Sequence, residues 1–242
     1  MTDYNNSQKD VADFYEEEAS TYDERFESIA GEYIHNRQVS IILEQLGDIS
    51  GDTVLEIAAG TGRFTHVLAA QDAKVIVIDI AREMLEENRQ RTPEAEFVHG
   101  TASELPFEPS SIDHCVTVNA LNHIPGHWDV VADVKRVLKP GGKFLANYPN
   151  ILSNRFPIGM YVNNQNRNVG KGVYTKWFNI FEVKRTLKSM GYNIEACIGD
   201  RFLPVKILPK ITVPASRMTE EISGNPIMSN ICVSPFVLAR KE

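Results

Sequence analysis

Two carboxylates and two glycines, set at the ends of neighbouring apolar runs, are the residues here whose spacing first suggests chemistry. In "VLEIAAGTGRFT" (54–65), Glu56 lies inside an apolar run that enters a turn carrying Gly60 and Gly62; in "KVIVIDI" (74–80), Asp79 closes the next run. A buried strand that passes through a glycine-rich turn into a helix is how a nucleotide-binding loop is built, because glycine lets the backbone approach a ligand closely. A dinucleotide site would want G-x-G-x-x-G. The small residues are instead Ala58, Gly60 and Gly62, and Thr65 stands where the third glycine belongs.

A ligand without a pyrophosphate suits these residues better. S-Adenosylmethionine (SAM) carries a sulfonium and an ammonium, which Glu56 can accommodate directly or through water. It also carries a ribose diol, for which Asp79 is a bidentate acceptor. The elements that would position these groups alternate along the chain. Strands are expected at 53–58, 74–80, 95–99, 112–118 and 143–148, and helices at 35–46, 62–70, 82–91 and 128–138. Such alternation predicts a parallel sheet covered on both faces. Asn179 and Glu182 are spaced as a capping box, and Gly191 stands where a helix over 180–190 would end; strands at 192–198 and 231–239 follow. Segments 149–176, rich in Asn and basic residues, and 199–229, rich in Pro, fit neither period and are expected to be long functional loops.

The runs "VLEIAAGTGRFT", "VIVIDIAREML", "HGTASELPFEPSSID", "VNALNHI" and "VLKPGGKFLA", in this order over about 53–146, are similar to class I SAM-dependent methyltransferases of the small-molecule type, such as those of ubiquinone, menaquinone, sugar and amine methylation. The resemblance implies a Rossmann-like α/β fold. Its seven-stranded sheet has six parallel strands and an antiparallel last one, helices on both faces and an N-terminal helical lid. It implies one domain: a lid and first core helix over 1–46, a SAM-binding core over 47–148, an acceptor-side insertion over 149–176 and the end of the sheet over 177–242. Carried over by position, Glu56, Ala58, Gly60 and Gly62 form the first loop, Asp79 binds ribose, and Ile80 and Met84 pack near the adenine. Thr101 and Ala102 edge the adenine, and Asn119 lies under the methionine portion. Ala58 replaces a commoner glycine, and Thr101 a frequent Asp. Tyr22 resembles a lid tyrosine, its alternative being a helix-packing aromatic; Arg37 could pair with the methionine carboxylate, or be a solvated helix arginine.

Methyl transfer from an activated sulfonium chiefly requires alignment and exclusion of water, and a base only for some acceptors. His123, after strand four, and Tyr148, ending strand five, are the candidate catalytic residues; each has a packing or pocket-shaping role as its alternative. His123 and His127 have metal-like spacing, but Pro125 and Gly126 interrupt any helix between them, and no metal is expected. The product would be S-adenosylhomocysteine (SAH). A SAM-fold binding protein without turnover is the rival reading.

The bulk composition bounds the partners. The net charge of −7 argues against nucleic acid, and "NYPN" (147–150) follows strand five, not strand four as a DNA amino-methyltransferase signature would. Residues 1–30 carry nine acidic side chains against Lys9 and Arg25, whereas 139–188 carries nine basic ones against Glu182. Arg155, Arg167 and Lys171 with Asn163, Asn164, Asn166 and Asn168 would suit an anionic or sugar-like acceptor, the alternative being a solvated face. The isolated Cys115, Cys197 and Cys232 read as small buried hydrophobes. No apolar run is long enough for a leader or a membrane span, and the cytoplasm is the expected location.

Overall fold

The structure, a computed structural model, describes residues 6–169, 172–203, 205–206 and 208–242, without the side chains of 167–169 and 226. The side chains of Arg167 and Asn168 and the whole of Lys171, named above for an anionic acceptor, lie outside the described residues. Helix α1 (Gln8–Glu18) runs into a 3-10 segment (Ala19–Phe26), and α2 (Ile29–Leu46) leads to β1 (Thr53–Ile57). Then come α3 (Thr65–Ala69), β2 (Lys74–Asp79), α4 (Arg82–Arg91), β3 (Glu96–His99), β4 (Ile112–Thr117), α5 (His127–Val137) and β5 (Leu138–Asn147). The chain ends with α6 (Phe156–Val169), α7 (Ile180–Ser189), β6 (Tyr192–Ile198), α8 (Pro209–Arg217), α9 (Pro226–Ser229) and β7 (Phe236–Lys241).

The strands form one sheet in the order β3-β2-β1-β4-β5-β7-β6. Neighbours from β3 to β5 pair in parallel, and β7 is antiparallel to both β5 and β6, so six strands point one way and the last points back, as the resemblance implied. Successive side chains of a strand face opposite sides. Leu55 and Ile57 therefore join the apolar layer under α5 and α7, while Val54 joins the layer under α2, α3 and α4. The same alternation turns Glu56 toward α3 and α4.

Segments 149–176 and 199–229 are not loops. The first holds α6, and the second holds α8 and α9. Weak local propensity hid them: α6 is rich in Asn, and α8 carries Pro209 in its first turn and Pro214 inside. Tertiary packing decides instead. A Cβ on Gly159 would fall 1.9 Å from the Trp177 ring, so α6 lies directly on that indole. Asn179 does cap α7, through the Phe181 N–H and not that of Glu182, and Gly191 takes a left-handed φ of 78° just past the helix.

The N-terminal helices fold back over the carboxyl edge of the sheet. Gln8 Nε2 donates to Thr101 Oγ1 (3.2 Å) and Ser103 Oγ (3.0 Å), and Asn6 Nδ2 to the carbonyls of His123 and Tyr174 (both 3.0 Å). Glu16 accepts from the N–H groups of Arg82 (2.7 Å) and Glu83 (2.8 Å), supplying the cap that α4 lacks from its own Ala81. Asp23 pairs with Arg91 and accepts from Thr61 Oγ1 (2.7 Å).

The turn after β1 holds three residues at positive φ: Ala58 (53°), Gly60 (56°) and Gly62 (86°). A Cβ on Gly62 would lie 2.2 Å from Asn88 Oδ1, whereas one on Gly60 would meet nothing nearer than Met84 Sδ at 3.8 Å. The three positions should therefore separate in denaturant unfolding. Gly62→Ala is expected to cost about 2–4 kcal/mol from overlap plus backbone strain, Gly60→Ala about 1 kcal/mol from strain alone, and Ala58→Gly to cost nothing or to stabilise by up to about 1 kcal/mol. Equal losses at Gly60 and Gly62 would contradict the close packing against Asn88.

Candidate active site

A cleft of about 720 Å³, its open mouth included, lies where the turns after β1, β2, β3 and β4 meet the N-terminal helices. Carboxyl ends of parallel strands are where ligands bind in open α/β sheets. Of the residues picked from the sequence, Tyr22, Ala58, Gly60, Asp79, Ile80, Met84, Thr101, Ala102, Asn119 and His123 line this cleft. Gln8, Val11 and Tyr15 line it too and were missed. They precede the first loop by some forty residues or more, and only a long-range fold brings them back.

Asp79 is the carboxylate of the cleft. Its Oδ2 accepts from Gly60 N (2.9 Å) and its Oδ1 from Ala81 N (3.0 Å), so one side chain holds the turns after β1 and β2 together. Burial raises its pKa, and the N–H groups of Ala81 and Gly60 pull it back down. Asn119, at φ 58°, is fixed by a reciprocal pair: its N–H donates to Asn147 Oδ1 (2.6 Å) and its Oδ1 accepts from Asn147 Nδ2 (2.7 Å). His123 Nδ1 lies 3.1 Å from the Tyr174 carbonyl. A carbonyl only accepts, so Nδ1 carries the proton and Nε2 is left as the acceptor. Burial holds this ring down at about 4, so it is neutral at pH 7. Tyr15 packs edge-on against it, centroids 6.1 Å apart.

Four picked residues lie elsewhere. Glu56 is 2% exposed behind the loop, where its Oε2 accepts from Thr65 Oγ1 (2.6 Å), which in turn accepts from Asn88 Nδ2 (2.8 Å). Gly62 makes room for that Asn88 and does not line the cleft. Arg37 is neither solvated nor in the cleft: it is buried on α2 and donates to Ser223 Oγ (2.7 Å) and the Gly199 carbonyl (3.3 Å). Tyr148 is 1% exposed and packs edge-on against Phe178 at 5.3 Å, with burial pushing its phenol pKa up. Strand alternation explains it: Phe144, Ala146 and Tyr148 all face the layer under α5 and α7, and Asn147 faces the other way.

Residues 55–146 match the family described as "Methyltransferase domain". Over that stretch the chain is similar to the class I SAM-dependent methyltransferase family. Demethylmenaquinone methyltransferase of Renibacterium salmoninarum is 31% identical over 105 residues, 43% of this chain and 44% of that one, so the match spans under half of that relative. Two solved structures share the fold over nearly the whole chain. A SAM-dependent methyltransferase of Thermotoga maritima has a TM-score of 0.69 at 16% identity, covering 96% of this chain and 100% of that one. The cyclase SpnF also has a TM-score of 0.69, at 13% identity, covering 98% and 97%. This family implies SAM as its cofactor, and the residues present fit it: the cleft offers one carboxylate beside the apolar Ile80, Met84 and Ala102.

Burial pushes the Glu56 carboxyl up to about 8, against the opposing pull of the Thr65 hydroxyl. The folded chain then holds this proton where the unfolded chain, near its ordinary 4.5, has lost it, so the Glu56 contribution to stability falls as pH rises from about 5 to about 8. His123, with its lowered pKa, acts in the opposite sense between about 4 and 6.5, so the variant must be compared with wild type at each pH. Glu56→Gln keeps an acceptor for Thr65. Its denaturant midpoint relative to wild type should rise steadily from pH 5 to pH 8; a constant difference would contradict a buried Glu56 whose carboxyl is held up by burial.

Proposed function

We propose that the chain transfers the methyl group of SAM to an oxygen, nitrogen or carbon of a small-molecule acceptor. The observation that carries this reading is the cleft itself: a buried carboxylate at the end of β2, an apolar slot beside it and a helical cover, all at the carboxyl edge of the sheet. When bound, SAM supplies a methyl group on a sulfonium, already activated for in-line displacement.

The chain's own residues then bind, orient and exclude water. Asp79 accepts from the ribose hydroxyls. Ile80, Met84 and Ala102 hold the adenine by apolar contact, with Thr101 at its edge, and Asn119 supports the methionine portion. Tyr15, Tyr22 and Val11 close the cleft from above, and a water-excluded site strengthens every polar contact in it. Glu56 acts from behind the loop, fixing it through Thr65. His123 is neutral and weakly basic, so it serves as a hydrogen-bond acceptor that orients the methyl acceptor. That suits a nucleophile that is uncharged or ionises readily, since a base of pKa about 4 removes few protons from an alcohol.

Calorimetric titration with SAH, with NADH as control, tests the reading. SAH should bind and NADH should not, and Asp79→Ala should weaken SAH by about 10- to 100-fold through loss of charge-assisted hydrogen bonds. NADH binding in place of SAH, or indifference of SAH to Asp79→Ala, would overturn it.

A further inference from the structure

Five cationic side chains from separate stretches of sequence gather beyond the cleft at the same edge of the sheet. Arg155 follows β5, Arg201 and Lys206 follow β6, Arg25 comes from the 3-10 segment and Arg63 from the turn after β1. Asn154 Nδ2 donates to the Phe202 carbonyl (2.9 Å), which ties the stretch before Arg155 to the stretch after Arg201. Arg63 lies 3.4 Å over the Phe26 ring, and Arg25 lies 4.3 Å over Tyr22, a residue of the cleft wall. The group therefore adjoins the cofactor cleft through Arg25.

The carboxylates facing the group are Asp200 toward Arg201 and Arg155, Glu18 toward Arg25, and Asp23 and Glu56 toward Arg63. Asp200 pairs with Arg201, and Glu18 with Arg25 at 2.6 Å. Arg63 hydrogen-bonds the neutral Gln38 (3.2 Å) and His35 (3.3 Å). Among the described residues, neither the Arg155 nor the Lys206 side chain has a hydrogen bond or an ion pair. The neighbours repel: burial and then Arg155, Arg201, Arg25 and Arg63 lower the Lys206 pKa, and burial and then Arg201 lower that of Arg155 against the opposing pull of Asp200. Like charges gathered this way repel one another unless something negative sits among them.

We propose that this group, with Arg155 and Lys206 as its unpaired members, is the anion-holding end of the acceptor site and takes a phosphoryl group carried by the methyl acceptor. The inference rests on the methyltransferase reading above. Convergent cations of both kinds match a dianion: the guanidinium fork binds two phosphate oxygens at once, and the ammonium acts as a point charge. The position, next to the cleft wall and at the carboxyl edge of the sheet, is where the far end of an acceptor would lie.

The test uses the full chain with and without SAH, inorganic pyrophosphate as the probe and sodium chloride of matched ionic strength as the control. Pyrophosphate should bind wild type and raise its melting temperature. Arg155→Gln and Lys206→Gln should each weaken that binding about tenfold, as loss of one charge-assisted contact does. Neither substitution should move SAH affinity by more than about twofold, because neither residue lines the cofactor cleft. Lys206 is exposed, so its variant keeps the test open if Arg155→Gln folds poorly. Pyrophosphate no better than chloride, or binding indifferent to both substitutions, would overturn the inference while SAH binding leaves the cofactor reading intact. Anion binding without SAH binding would overturn the acceptor assignment together with that reading. Vesicles of phosphatidylcholine with phosphatidic acid separate the sources. Sedimentation that pyrophosphate displaces would place the phosphoryl group on a lipid; pyrophosphate binding without sedimentation would place it on a soluble metabolite.

Discussion

The bond from Gly60 N–H to the Asp79 carboxylate is the contact on which the site depends. Parallel strands end with free backbone groups at one edge, and nothing in the sheet itself fixes the turns that leave it. Asp79 does so for two of them, accepting from Gly60 on one oxygen and from Ala81 on the other. Ala81 is the residue before α4, and Glu16 from the N-terminal helix caps that same helix. Loop, helix and cover are thus held around one buried carboxylate. Behind it, the chain of bonds from Asn88 through Thr65 to Glu56 stiffens the first turn from the opposite face.

Much of this was legible in local pattern. Apolar runs ending in Gly60 and Asp79 located the loop, and alternation of strands and helices set the sheet, because both signals lie within a few residues. What failed needed distant partners. Tyr148 stood at the right place in the chain but on the wrong side of β5, since its direction follows the pairing of Asn147 with Asn119 and Ser234. Arg37 was read as solvated or cofactor-bound, and its partners Gly199 and Ser223 lie in a segment that looked like a loop. Gln8, Val11 and Tyr15 carried no local mark of a cleft wall. Their positions are set by contacts such as Gln8 to Thr101.

The family match stops at residue 146, and the cationic residues argued to hold the acceptor lie mostly beyond it or in the N-terminal cover. That division follows from the demands on each part. A cofactor common to a family constrains one loop, one carboxylate and one apolar slot. The segments after β5 and β6, proposed above to face the acceptor, have helices specified by packing such as Trp177 on Gly159 and not by a periodic pattern. SpnF, a cyclase on the same fold, illustrates how far the chemistry can move while the sheet stays.

Hydrogen–deuterium exchange of the full chain with and without SAH tests the central claim most directly, that the N-terminal helices close an Asp79-centred cleft over the cofactor. SAH should slow exchange together in residues 8–26, 58–64, 79–84, 100–102 and 119–124, and leave the β6–β7 edge unchanged. Protection confined to that edge, or an N-terminal segment that exchanges alike in both states, would contradict it.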